Sequence, residues 1–236
     1  MYLRDISVLV LPIVLLASSL ASGQEDTWET RSDIPTSRVL HATCTAAGKI
    51  YMFGGQRTGG GPGIMSVEEY DPATDSWRSR ANMPTARLGM TAGAVNDKCY
   101  VIGGATEPGR EGLNRVDEYD PVTNDWRRRA DMPTTRVAGA SAVMDGRIYV
   151  AGGWPDTDIF GAALTSLEIY DPSSNTWASG ADMPTARAIL AASVAAEELF
   201  FIGGGSSALE TRDTSLVESY DPMTDTWTRR ADMPTP

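Results

Sequence analysis

One period dominates the chain. Tryptophan recurs at positions 28, 77, 126, 177 and 227, with successive spacings of 49, 49, 51 and 50. Three further markers keep the same period and order. Gly-Gly pairs stand at Gly54 and Gly55, Gly103 and Gly104, Gly152 and Gly153, and Gly203 and Gly204. Tyr-Asp-Pro begins at Tyr70, Tyr119, Tyr170 and Tyr220, each seven residues before Trp77, Trp126, Trp177 or Trp227. A Pro-Thr pair follows each tryptophan: Pro35-Thr36, Pro84-Thr85, Pro133-Thr134, Pro184-Thr185 and Pro234-Thr235. A unit repeated this closely is one supersecondary element that buries its apolar face only by stacking on its neighbours.

Each unit reads as four strands. The first, strand a, follows the Pro-Thr-x-Arg segment, as in Val39–Thr45. Strand b is the apolar run before Gly-Gly: Ile50–Phe53, Cys99–Ile102, Ile148–Ala151 and Leu199–Ile202. These runs do not alternate, so both of their faces are expected to be buried. Strand c is Ser66–Tyr70 and its equivalents. Asp-Pro-x-Thr after the tyrosine is tight-turn chemistry, so strands c and d form a hairpin and d carries the tryptophan. A repeated four-stranded unit of this length is a propeller blade. Gly-Gly, then Tyr, then Trp at these offsets resembles the kelch repeat. The resemblance covers nearly all of the chain beyond its first segment and implies an all-β kelch β-propeller; it says little about function.

Complete repeats span about 38–86, 87–135, 136–186 and 187–235. Trp28 and its flanks match only a strand d, an orphan whose a, b and c strands are missing. The expected architecture is four complete blades plus this N-terminal strand, as a piece of a larger ring of about six blades. A tight four-bladed ring with a spare strand is the alternative. Residues 1–23 read as a signal peptide: Arg4, an apolar run from Ile6 to Leu16, then small residues to Gly23. That leaves 24–236 as the propeller, expected to be secreted or periplasmic with no membrane span after cleavage.

Charge and composition exclude several functions. The chain carries 20 Lys and Arg against 31 Asp and Glu, a net charge of −11, so nucleic acid is not an expected partner. One His and two Cys exclude polyhistidine and four-cysteine metal sites. No cofactor or metal is expected. A copper centre like that of galactose oxidase, which has a related propeller, requires two histidines and is excluded. Asp156-x-Asp158 lacks the other ligands of a calcium loop. Gly59-Gly60-Gly61-Pro62-Gly63 lacks the Lys and helix of a phosphate loop.

Candidate ligand contacts gather on one face. Blade topology puts the b–c and d–a connections together, and the b–c loops are long and unlike one another. The d–a connections deliver Arg38, Arg87, Arg136 and Arg187 to the start of the innermost strand. Two roles are open to them. They form a ring of guanidiniums at the channel mouth that takes carboxylates, or they pair inside each blade with Glu68, Asp117, Glu168 and Glu218. Trp154 departs from the repeat, with Asp156, Asp158 and Phe160 following; it either stacks on a ligand or covers its own loop. His41 is expected to pack. Cys44 and Cys99 lie on neighbouring blades, and buried free thiols are expected over a disulfide.

The resulting expectation is a secreted binding module whose loop face takes a protein or glycan with acidic groups, non-enzymatic rather than catalytic. Two alternatives stand beside it. One is a carbohydrate-active propeller resembling the sialic-acid mutarotase, with an acid and an Arg in the funnel but no catalytic residue assignable here. The other is a structural propeller domain of a larger surface protein. An open arc of blades would expose two apolar faces and favour self-association.

Overall fold

The computed structural model describes residues 28–108, 112–155, 162–206 and 214–235. Residues 1–23, the expected signal peptide, lie outside these, as do Asp156, Asp158 and Phe160. The chain divides into Met1–Arg31 and a compact unit, Ser32–Pro236. Four antiparallel four-stranded sheets make up the second unit, and the described residues contain no helix. The first blade holds β2 (Ala42–Ala46), β3 (Lys49–Phe53), β5 (Val67–Asp71) and β6 (Ser76–Arg80). The second holds β7 (Thr91–Val95), β8 (Lys98–Ile102), β9 (Val116–Asp120) and β10 (Asp125–Arg128). The third holds β11 (Ala140–Met144), β12 (Arg147–Ala151), β13 (Leu167–Asp171) and β14 (Thr176–Ser179). The fourth holds β15 (Ala191–Ala195), β16 (Glu198–Ile202), β17 (Val217–Asp221) and β18 (Thr226–Arg229). A small extra sheet pairs β1 (Arg38–Val39) with β4 (Gln56–Arg57).

Two strand expectations need correction. Strand a does not run unbroken from Val39. Leu40 sits at φ 56°, in the left-handed region, and this splits β1 from β2. The equivalents Gly89, Ala138 and Ile189 share that conformation, at φ 64°, 56° and 54°. The orphan strand around Trp28 is not seen among the described residues: 28–37 carry no strand.

The recurrent Tyr and Trp sit opposite each other on strands c and d, as in Tyr70↔Trp77 and Tyr170↔Trp177. Their ring centroids lie 4.9–5.2 Å apart. Both reach a neighbouring segment. Trp126 Nε1 donates to the Ala81 carbonyl of the first blade at 3.0 Å, and Tyr119 donates to Asn124 Oδ1 at 2.8 Å. Asn124 Oδ1 also accepts the Ala81 amide at 2.9 Å. Ala130 meets Asn175 and Trp177, Ala181 meets Asp225 and Trp227, and Ser32 meets Asp75 and Trp77 in the same way.

Burial follows from stacking. In the two middle blades β8 and β12 are buried on both faces, as non-alternating runs require. In the outer blades β3 and β16 alternate between buried and half-buried, since each has a blade on one side only. Most of β15 is exposed. The tight four-bladed alternative is therefore not adopted, because it would cover that face.

Cys44 and Cys99 correct the expectation of free thiols. They form a disulfide across the first blade junction, with Cα atoms 6.2 Å apart, well inside the bridging range. Both are buried in the core that joins the first two blades. Closing a 55-residue separation stabilises the fold by about 2–4 kcal/mol. Cys99→Ser should lower the unfolding free energy by that amount, and reductant should do the same to the parent. Equal denaturation midpoints with and without reductant would show the bond to be absent.

Candidate functional site

The arginines illustrate how far a side chain can depart from what its strand position suggests. All four lie at the d–a entry to the inner strand, yet Arg87 and Arg187 are 0% exposed, Arg136 2% and Arg38 7%. Each folds back into its own blade. Arg87 Nη1 donates to the carbonyls of Gly103 at 3.1 Å and Arg115 at 3.2 Å, and its Nη2 meets Asp117 Oδ2 at 2.7 Å. Arg187 repeats this with Gly203 and Leu216, and with Glu218 Oε2 at 2.7 Å. Arg136 pairs with Glu168 at 3.0 Å and Arg38 with Glu68 at 2.9 Å. The acids are further held: Thr36, Thr134 and Thr185 donate to Glu68, Glu168 and Glu218. In the second blade Arg115 braces the shorter Asp117 instead. Pro-Thr-x-Arg is thus an intrablade lock from strand a to strand c. Burial pushes the Arg87 guanidinium down to about 10 despite the neighbouring Asp117, so the guanidinium stays charged at neutral pH.

The proposed ring of ligand-binding guanidiniums is accordingly corrected. The forks of Arg38, Arg87, Arg136 and Arg187 are engaged by the protein's own carbonyls and carboxylates and shielded from solvent. No free cation is left by them for an acidic ligand.

Trp154 is also corrected as a stacking platform. It is 3% exposed and packs on Ala163 and Ala188. Its backbone pairs with Val137 in both directions at 2.8 Å. The indole is packed inside rather than presented to a ligand, and its buried Nε1 meets no acceptor among the described residues.

What the loop face does present is a cleft of about 370 Å³ where the inner strands β2, β7, β11 and β15 begin. Its walls are mostly small, Ala42, Ala92, Ala140 and Ala191 with the hydroxyls of Thr43, Thr91 and Ser141, beside the larger Met90 and Leu190. Thr91 and Ser141 hydroxyls are 2.5 Å apart across the second junction, and Ser141 Oγ also donates to the Ala92 carbonyl. Among the described residues His41 is the one titratable side chain in the wall. Burial, then the charge of Arg38, holds its pKa below the ordinary histidine value, so the imidazole is neutral at pH 7. Among the described residues no group of three or more His, Cys, Asp or Glu is placed to hold a metal.

Two sets of backbone bonds tie the blades together on this face. Each second glycine donates to the next blade's arginine carbonyl: Gly55 to Arg87, Gly104 to Arg136, Gly153 to Arg187, all at 2.8 Å. Nearer the cleft, the left-handed residues form a chain: Gly89 donates to Leu40, Ala138 to Gly89 and Ile189 to Ala138, at 2.7–2.8 Å. The glycines are required there. A Cβ on Gly54, Gly103 or Gly152 would lie 2.4–2.5 Å from the next blade's arginine carbonyl oxygen. Sequence reasoning missed these left-handed links and the Asx clamps. The clamps had a visible signal, since Asp75, Asn124, Asn175 and Asp225 each stand two residues before a tryptophan.

Known proteins agree with this geometry. The solved structure of YjhT superposes with a TM-score of 0.74 at 20% identity, covering 87% of this chain and 69% of that one. At that identity the likeness speaks for the propeller fold alone. No curated protein matches the chain. The model of the Attractin/LZTR1 beta-propeller matches residues 13–235, spanning the Trp, Tyr and Gly-Gly markers of every blade. The chain belongs to this family of kelch-type β-propellers.

Proposed function

We propose that the chain is an exported binding module whose loop face engages an uncharged polar patch of a protein or glycan. The observation that carries this is the cleft at the head of all four inner strands, walled by hydroxyls, small side chains, Met90 and Leu190, in a chain whose four b–c loops differ in sequence. Everything else repeats; these loops do not, and variation on a rigid scaffold is where recognition is placed. An acidic ligand is not retained, because the arginines are engaged within the blades and the chain carries a net charge of −11. Export is supported by the N-terminal leader pattern and by the buried disulfide, which suits an oxidising compartment. The mutarotase-like alternative needs an acid and an Arg in the funnel, whereas the described wall offers His41 as its one titratable side chain.

Glycan-array and peptide-array binding test this. Ala191→Trp and Thr43→Trp place a large ring in the cleft from exposed positions, so folding should be unchanged. Each should weaken binding at least tenfold, or about 1.4 kcal/mol. Binding that survives both would move the site away from the cleft, and a preference for sialylated over neutral glycans would restore the acidic ligand.

A further inference from the structure

The third blade junction departs from the other two. At the first junction Glu69 on β5 holds two arginines of β6: Arg78 Nε donates to it at 2.7 Å, and Arg80 Nε lies 3.2 Å from it. Arg80 also crosses into the second blade, donating to Tyr119 Oη at 2.8 Å and to the Pro121 carbonyl. The second junction keeps the acid and the crossing arginine as Glu118 and Arg129, and the charge of Arg129 bears on Tyr170. In the third blade the positions of Glu69, Arg78 and Arg80 are taken by Ile169, Ala178 and Gly180. An acid and two long cations have become an apolar side chain, a methyl group and a hydrogen.

What remains is a cavity of about 230 Å³, lined by Arg147, Ile169, Asp171, Thr176 and Ala178. It lies at the a–b and c–d turns, on the face opposite the cleft. Ile169 packs on the core that includes Tyr220 of the fourth blade, and a Cβ on Gly180 would lie 2.8 Å from the Tyr220 hydroxyl. The cavity therefore sits where the first junction places its arginines.

The acceptors that serve an arginine at the first junction are still present here. Tyr119 donates to Asn124 and accepts from Arg80; Tyr220 donates to Asp225 at 2.7 Å, and its oxygen receives no side-chain donor among the described residues. The Pro222 carbonyl, counterpart of that of Pro121, receives none among them either. Acids outnumber cations among the neighbours. Asp171 lines the cavity, Asp145 bears on the adjoining Tyr149, and Asp225 and Asp221 bear on Tyr220. Against them stands Arg147, exposed and 3.8 Å from Asp171, beyond hydrogen-bond range.

We infer that this cavity takes an arginine side chain of a partner protein, which supplies from outside the guanidinium that Arg80 supplies within the chain at the first junction. The aliphatic stem rests on Ile169 and Ala178, and the head donates to Tyr220 Oη, the Pro222 carbonyl and Asp171. A planar fork with five donors suits acceptors spread in this way better than an ammonium does. The net charge of −11 draws a cationic partner. The site is separate from the cleft, so neither reading rests on the other.

Amide NMR of the isotope-labelled full chain, titrated with N-acetyl-arginine amide, tests this. Shifts should gather at Ile169, Thr176, Ala178 and Gly180, and at Tyr220 and Asp221 across the junction. N-acetyl-lysine amide should bind about tenfold more weakly, as losing one charged hydrogen bond predicts. Ala178→Arg restores the first blade's cation from an exposed position, and should abolish the shifts with melting unchanged. Arg147→Ala frees Asp171 and should tighten binding about threefold. The inference is overturned by a titration that leaves these amides unmoved, by shifts that survive Ala178→Arg, or by a lysine probe that binds as tightly. It is overturned equally by weaker binding in Arg147→Ala, or by N-acetyl-glutamate amide moving the same residues more strongly, which would make the cavity an anion site.

Discussion

Arg87→Ala is expected to destabilise the protein by about 3–5 kcal/mol, a large share of the total stability of a domain. The guanidinium and the Asp117 carboxylate are both 0% exposed. Deleting the cation leaves a buried carboxylate facing only Arg115, and frees the Gly103 and Arg115 carbonyls with no water to take over. Arg87→Lys should recover little, because an ammonium has no planar fork to serve two carbonyls and a carboxylate at once. A double change, Arg87→Met with Asp117→Leu, should cost far less than Arg87→Ala, since no orphaned charge remains. Arg127 on β10 is exposed and serves as the control; its replacement by Ala should stay within about 0.5 kcal/mol. Urea denaturation midpoints read all four. An Arg87→Ala chain as stable as the Arg127 control, with binding at the loop face lost, would return the arginine ring to ligand recognition.

The fold was legible because its markers are geometric necessities repeated in every blade. Gly-Gly is demanded by the next blade's backbone, and Tyr with Trp closes the clamp across each junction. Strand bounds came out within a residue or two, and the one break, at Leu40, was hidden for a physical reason. Leu40 and Ile189 hold left-handed backbone that bulky side chains rarely adopt, and interblade hydrogen bonds rather than local preference keep them there. The site was less legible. Strand position placed the arginines at the cleft, but whether a long side chain reaches outward or folds back depends on what waits behind it. The acids of strand c were visible as one possible partner, and their recurrence in every blade was the better clue. Trp154 was ambiguous because burial in a loop leaves no periodic trace. The disulfide depended on the distance between two strands of different blades, which no spacing encodes.

Gly152→Ala and Gly203→Ala should separate by about five- to 150-fold in the folding equilibrium, although both glycines hold the same motif position. Both sit at φ 67°, so the backbone conformation costs an added Cβ about 1–2 kcal/mol at either site. The neighbours then differ. At Gly152 the new Cβ would lie 2.4 Å from the Arg187 carbonyl oxygen, across the junction into the fourth blade. Relief requires the blades to part, which strains the Gly153-to-Arg187 hydrogen bond and the packed core beneath it. Overpacking of this kind adds about 1–3 kcal/mol. At Gly203 the nearest atom would be the Met233 methyl at 3.4 Å, an ordinary contact with the end of a flexible side chain. Gly203→Ala should therefore show the conformational cost alone, and Gly152→Ala that cost plus the clash. Chemical denaturation of the full chain at low concentration, with Cys44 and Cys99 oxidised throughout, reads the difference directly. Equal losses would show that the contact with the Arg187 carbonyl oxygen adds nothing to the conformational cost.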